Sequence, residues 1–228
     1  MPIEHKVKKG ESVDSIAFVH GFFPETIWSY EKNAPLKEQR QSRNVLAEGD
    51  LLHIPDKRPK EHPGDTAQRH VFRRLGVPAQ MRIQLFDNEV PFANQPYTLE
   101  VPGRATVRDK TDERGIIDLP VPPNATNGKL TVGDDNRIVE LKFGHLEPIG
   151  NNKGRQQRLN NLGFDCGRED GVMDDDKTRA AIAGFQRRVG LPETGKFDDK
   201  PECKTADALF RIHDRFEGFP KPDSISAE

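Results

Sequence analysis

Between Gly154 and Leu191 apolar residues recur at helical intervals, and this stretch constrains the fold more than any other. Leu159 and Leu162 are followed by a Gly163 stop, and Ile182, Phe185 and Val189 recur at i, i+3 and i+7 after a polar segment. Two short helices are therefore predicted, joined through a turn at Asp170-Gly171. A third helix, roughly Lys204 to His213, carries Ala206, Leu209 and Phe210 on one side.

Read as a whole, Gln156-Gln157-Arg158-Leu159-Asn160-Asn161-Leu162-Gly163-Phe164, then Asp170-Gly171, then Thr178-Arg179-Ala180-Ala181-Ile182 and Phe185-Gln186 form a dense pattern. It resembles the three-helix peptidoglycan-binding module attached to many wall hydrolases, over about Gly150 to Asp214. The resemblance implies glycan contacts at Asp170, Gly171 and Gln186. The chain departs from the family at Val172-Met173-Asp174-Asp175-Asp176 after the turn, and at an extra Pro201-Glu202-Cys203 before the last helix.

At 228 residues with 33% hydrophobic content, several small cores fit better than one large one. No run of 18 apolar residues is present, so no membrane-spanning helix is predicted. The start, Met1-Pro2-Ile3-Glu4-His5-Lys6, has no apolar h-region, and no secretory signal peptide is expected. A net charge of -2 with charged residues at 32% mixes both signs, which argues against nucleic acid as a partner. The short basic clusters Lys57-Arg58-Pro59-Lys60 and Arg73-Arg74 read as solvated faces.

The two cysteines, Cys166 and Cys203, both fall in the C-terminal region. A disulfide between them would close a loop of about 38 residues and contribute roughly 4 kcal/mol in the chain-entropy model. Two buried thiols in a reducing cytosol are the other reading.

Near the N-terminus, His5-Lys6-Val7-Lys8-Lys9-Gly10-Glu11-Ser12-Val13-Asp14-Ser15-Ile16-Ala17 predicts a strand and then a helix capped by Ser12. Pro24 suits the first turn of a second helix, with Ile27 and Tyr30 on its buried edge and Asn33 at its end. Leu51, Leu52 and Ile54, stopped by Pro55, read as a returning strand. This βααβ order, with Leu46-Ala47-Glu48-Gly49-Asp50 before the last strand, resembles a LysM domain. The resemblance implies binding of N-acetylglucosamine-containing chains in a shallow groove between two loops. The first loop holds Gly10, Glu11, Ser12 and Val13, and the second starts at Asn33. Ala34 to Asn44 makes that second loop long, with charged Lys37, Glu38, Arg40 and Arg43. Trp28 is either a stacking platform for sugar or a residue of the small core.

Residues 57–69 read as a linker rich in Pro and polar side chains. From 70 to 148 the period changes to two, in Met81, Ile83 and Leu85, in Tyr97, Leu99 and Val101, in Ile117, Leu119 and Val121, and in Val139, Leu141 and Phe143. Turn signals stand at Pro102-Gly103, Asp112-Glu113-Arg114-Gly115, Asn127-Gly128 and Gly133-Asp134-Asp135-Asn136. A small antiparallel β-sandwich or barrel is predicted as a spacer or docking domain. The run Thr111-Asp112-Glu113-Arg114-Gly115 resembles a turn of transthyretin-like or carboxypeptidase-regulatory-like sandwiches. The predicted whole is thus multidomain α+β: residues 1–56 LysM-like, 57–69 linker, 70–148 sandwich, 149–217 helical module, and 218–228 a mobile tail.

No clustered catalytic motif is visible: no His-Glu-x-x-His, Cys-x-x-Cys, Gly-x-Ser-x-Gly or phosphate loop. The acidic run from Asp165 to Asp176 fails the EF-hand spacing, with Gly167 at the third position and Asp170 at the sixth. No metal, cofactor or enzymatic activity is therefore expected. The leading expectation is bivalent binding of peptidoglycan glycan strands, anchoring or targeting the chain to the bacterial cell wall. The alternative is a structural or cargo-adaptor part of a contractile injection, type VI secretion or phage-like baseplate apparatus, with the modules docking protein. Either role implies synthesis in the cytoplasm, followed by non-classical export to the envelope or assembly into such an apparatus. A third expectation is that the chain targets or regulates a separate wall hydrolase.

Overall fold

The computed structural model describes residues 2–40, 42–58, 61, 63–71, 79–87, 90–198 and 204–220. The chain is of mixed α and β structure and divides into two compact units, Met1–Ile83 with Phe92–His145, and Gln84–Pro91 with Leu146–Glu228.

The first unit opens with β1 (Ile3–Lys6), α1 (Val13–His20), α2 (Pro24–Trp28), a single 3-10 turn (Glu31–Asn33), α3 (Ala34–Arg40) and β2 (Leu51–Ile54). β1 and β2 pair antiparallel with His5 opposite Leu52. The start of α1 is set by a reciprocal cap: Ser12 Oγ accepts from the Ser15 N–H, and Ser15 Oγ accepts from the Ser12 N–H. Its end is set by Gly21 in the left-handed region. Pro24 begins α2 because its fixed φ suits the first turn and its missing N–H would have had no helical partner.

Val7, Val13, Ile16, Ala17, Ile27, Trp28, Leu36, Leu46, Leu52 and Ile54 close the core of this part. Trp28 is therefore a core residue, not a stacking platform. The expected second loop from Ala34 to Asn44 is mostly the helix α3. Pro35 sits in its first turn, Leu36 anchors it to the core, and Lys37 to Arg40 are good helix formers. Arg40 then fastens the helix end by a two-pronged bond to Asp50, 2.8 and 2.7 Å.

Eight strands follow among the described residues: β3 (Ala79–Gln84), β4 (Phe86–Asp87), β5 (Val90–Pro91), β6 (Pro96–Glu100), β7 (Val107–Lys110), β8 (Ile116–Val121), β9 (Asn127–Val132) and β10 (Arg137–Lys142). The main sheet runs β10-β9-β6-β7, every neighbour antiparallel, while β3 pairs with β8 and β4 with β5. Tyr97 lies opposite Val132 and Leu99 opposite Leu130, so the period of two puts all four on one buried face. Asn127-Gly128, expected as a turn, begins β9. Gly128 is there for lack of bulk, since a Cβ would come within 3.2 Å of Val101 and Phe143 side-chain atoms. The turn after β7 is built by Asp112, whose Oδ1 accepts from the N–H groups of Arg114 and Ile116, 2.8 and 2.7 Å.

The second unit contains the β4–β5 hairpin and the helices α4 (Asn152–Asn161), α5 (Asp176–Arg188) and α6 (Lys204–Asp214). Asp175 caps α5 by accepting from the Lys177 and Thr178 N–H groups. Leu159, Cys166, Ala181, Ile182, Phe185, Ala208, Leu209 and Ile212 form its core. Arg158, only 1% exposed, crosses from α4 to α6, where its Nε and Nη2 bond Asp214 at 3.0 and 2.9 Å. Its Nη1 donates to the carbonyls of Glu147 and Gly154, so the buried charge is both paired and solvated by backbone. The tail, expected to be free from Gly218, is held as far as Pro220. Phe219 packs on the core and the Pro220 carbonyl accepts from Arg188 Nη1 at 2.8 Å. Residues 221–228 lie outside the described residues.

Candidate functional site

The loop between α4 and α5 is shaped by three amide or carboxylate side chains. Asp170 Oδ1 accepts from the Val172 N–H at 2.9 Å, which folds the loop into a tight turn. Gly171 has φ +87, a conformation that other residues adopt only with strain. Gln156, fully buried on α4, accepts from the Gly171 N–H at 2.7 Å and donates to the Val172 carbonyl at 2.8 Å. Asn152 donates to the Gly171 carbonyl at 3.3 Å. With the backbone of the turn taken up by α4, Asp170 and the Val172 side chain are left facing solvent, Val172 at 47% exposure.

Beside this turn stands Arg155, one helical turn after Asn152 and so on the same side of α4. Its Nε donates to the Ile149 carbonyl at 3.1 Å and its Nη1 to Asn152 Oδ1 at 3.4 Å. Its guanidinium lies over the Phe197 ring, 4.7 Å from the centroid, and Phe197 packs against the core of the unit. Asn152, Arg155, Asp170, Gly171, Val172 and Phe197 thus make one patch of hydrogen-bonding groups and apolar surface. Such a mixture suits ligands that offer hydroxyls, amides and methyl groups.

Of the residues expected to contact glycan in this module, Asp170 and Gly171 lie on that patch. Gln186 does not. It is buried on α5, where its Nε2 faces Thr194 Oγ1, the Lys196 carbonyl and Thr205 Oγ1 at 2.9 to 3.1 Å, and its Oε1 accepts from the Gly195 N–H at 2.9 Å. All its polar capacity goes into holding the loop between α5 and α6. Cys166 is a free, buried thiol, and burial, with Asp175, Asp165 and Glu169 nearby, pushes it up to about 12. Its expected partner Cys203 lies outside the described residues.

In the N-terminal part, Gly10 to Ser12 stay partly accessible while Val13 is fully buried. Glu11 Oε2 bonds His5 Nε2 at 2.7 Å and the Lys8 N–H at 2.8 Å. Burial raises its carboxyl, but the bonds from His5 and Lys8, with their positive charge, outweigh this and hold it below the ordinary range. Gly10 meets His145 on one side, and the Gly10 carbonyl lies where a Cβ on Gly144 would fall. Asn33 is 0% exposed and bonded throughout, so it faces no ligand. The Val13 N–H donates to the Arg43 carbonyl at 3.0 Å, and Arg43 Nε lies 2.9 Å from the buried Asp14 carboxylate. The two loops expected to flank a groove are therefore tied to each other at Val13 and Arg43.

Arg155, Asn152 and Phe197 are absent from the residues expected on sequence grounds. The helical phase of Asn152 and Arg155 is readable in the sequence, but the stacking of Arg155 on Phe197 joins positions on opposite sides of α5.

Among the described residues, the C-terminal unit holds three helices beside the β4–β5 hairpin, with the buried Gln156 and Gln186 fixing the loops between helices and Asp170 exposed at the turn. Residues 155–200 match the family model described as "Putative peptidoglycan binding domain". The N-terminal part and the main sheet lie outside that match. No curated protein and no solved structure matches the chain.

Proposed function

We propose that this chain is a non-catalytic peptidoglycan binder whose C-terminal helical module is its principal wall contact. The observation that carries the reading is the family match over residues 155–200, which spans α4 from Arg155, the Asp170–Val172 turn and α5. The exposed patch around that turn supports it, because a weakly charged polymer is gripped by hydrogen bonds and apolar contact more than by net charge. The N-terminal LysM-like part is the second contact. Its accessible groups are the backbone of Gly10 to Ser12, not Val13 or Asn33. With two weak sites on one chain, avidity would exceed either alone by a factor on the order of 100 or more.

Co-sedimentation with washed sacculi tests this. Retention of the intact chain should fall far more than twofold when either end is removed. Equal retention by the C-terminal module alone would end the bivalent reading, and no retention of the intact chain below roughly millimolar would end the wall-binding reading altogether.

A specific observation favours the second reading, an adaptor in a contractile injection, type VI secretion or baseplate apparatus. The N-terminal part exposes Val19 and Phe23, at 75% and 62%, on the corner between α1 and α2. Large exposed apolar side chains suit a protein surface better than a sugar. A stable stoichiometric complex with tube, spike or baseplate proteins, formed without sacculi, would establish this role.

A further inference from the structure

We propose that Arg155 receives a carboxylate of the peptide stems of peptidoglycan, so that the C-terminal module reads peptide as well as glycan. This rests on the wall-binding reading above and names the ligand group at the same module. Arg155 has no carboxylate within ion-pair distance among the described residues, in contrast to Arg158 with Asp214, Arg187 with Glu193 and Arg211 with Asp207. It is nevertheless fixed. Its Nε and Nη1 are bonded to Ile149 and Asn152, and its plane rests on Phe197. The Nη2 group is left uncommitted among the described residues.

A guanidinium held flat and partly desolvated in this way has already lost most of its conformational freedom, so an incoming anion need not order it. Its planar fork matches a carboxylate and gains a charge-assisted bond. The neutral N-acetylglucosamine backbone has no such group, whereas the stems carry carboxylates and alanine methyl groups. The exposed Val172, on the turn that Asn152 holds against α4, offers those methyl groups an apolar neighbour.

The test uses the full chain and R155Q, titrated with a muramyl tetrapeptide, the same peptide with every carboxylate amidated, and a neutral N-acetylglucosamine oligomer. The intact chain should bind the free-acid peptide at least tenfold more tightly than the amidated one. R155Q should lose that preference while keeping its thermal melting profile. Equal binding of acid and amide by the intact chain would overturn the proposal even if R155Q failed to fold, because that comparison needs no variant. If the intact chain binds sacculi but R155Q binds the free-acid peptide as tightly as it does, the wall-binding reading survives and this proposal falls. Failure of the intact chain to bind sacculi or any of the three ligands would remove both.

Discussion

Asn33 grips both backbone polar groups of His53: its Nδ2 donates to the His53 carbonyl and its Oδ1 accepts from the His53 N–H, each at 2.7 Å. A further bond from Nδ2 to the Ile27 carbonyl, 2.8 Å, ties the same side chain to α2. Strand β2 is thus pinned to the helices by one buried amide. Asn33→Ala would leave the His53 groups buried without partners, a loss of about 2–4 kcal/mol. Chemical denaturation should show this loss for the N-terminal part with little change in sacculus binding by the C-terminal module. Loss of binding without loss of stability would instead make Asn33 a ligand contact.

Gly144 and Gly103 both have positive φ, +71 and +81, but only Gly144 faces another chain segment at close range. An added Cβ on Gly144 would fall 2.3 Å from the Gly10 carbonyl oxygen, whereas one on Gly103 meets nothing within 4 Å. Gly103→Ala should cost about 1 kcal/mol, the backbone strain alone. Gly144→Ala should cost at least about 1–3 kcal/mol more, since the segments must separate. Equal melting shifts for the two variants would mean that Gly10 and Gly144 do not touch in solution.

Burial raises the Asp214 carboxyl, but His213 at 2.5 Å and Arg158 outweigh it and hold the group below its ordinary value of 3.8. A carboxylate lowered on folding gives stability that is complete above its unfolded value and is lost as pH falls through the folded one. Melting temperature of the C-terminal module should therefore decline below about pH 4. Asp214→Asn should flatten that acid limb and, by stranding the buried Arg158, cost about 3–5 kcal/mol at neutral pH. An unchanged acid limb in the variant would assign the decline to other groups.

With its thiol raised to about 12 and buried, Cys166 is protonated at pH 8. Iodoacetamide should label it at least a hundredfold more slowly in the folded chain than in denaturant, as read by peptide mass mapping. Rapid labelling of the folded chain would show that the core around Leu159 and Ile182 opens.

The helices α4 and α5 were legible because Leu159 and Leu162, and Ile182, Phe185 and Val189, recur at helical spacing and Gly163 marks a stop, whereas α6 was legible as a helix but buries Ala208, Leu209 and Ile212 instead of the expected side of Ala206, Leu209 and Phe210. The strands β6, β8 and β10 were legible from alternation, but β9 was hidden because Asn127-Gly128 carries turn chemistry and its glycine is chosen for tight packing. The helix α3 was hidden because its single buried anchor, Leu36, gives no period, and its charged residues read as a loop. At the candidate site, the Asp170-Gly171 turn was visible in sequence. Asn33 and Gln186 were visible as motif residues, yet whether an amide faces ligand or backbone depends on partners 20 and 19 residues away, His53 and Thr205. Such pairing is tertiary, and no local pattern encodes it.

The most direct measurement of the central claim is hydrogen–deuterium exchange of the intact chain with and without soluble muropeptides. The account predicts slowed exchange in the segments around Asn152–Arg155 and Asp170–Val172, with the core of α6 unaffected. Binding without protection at either segment, or protection confined to residues 1–145, would contradict a wall contact on the C-terminal module.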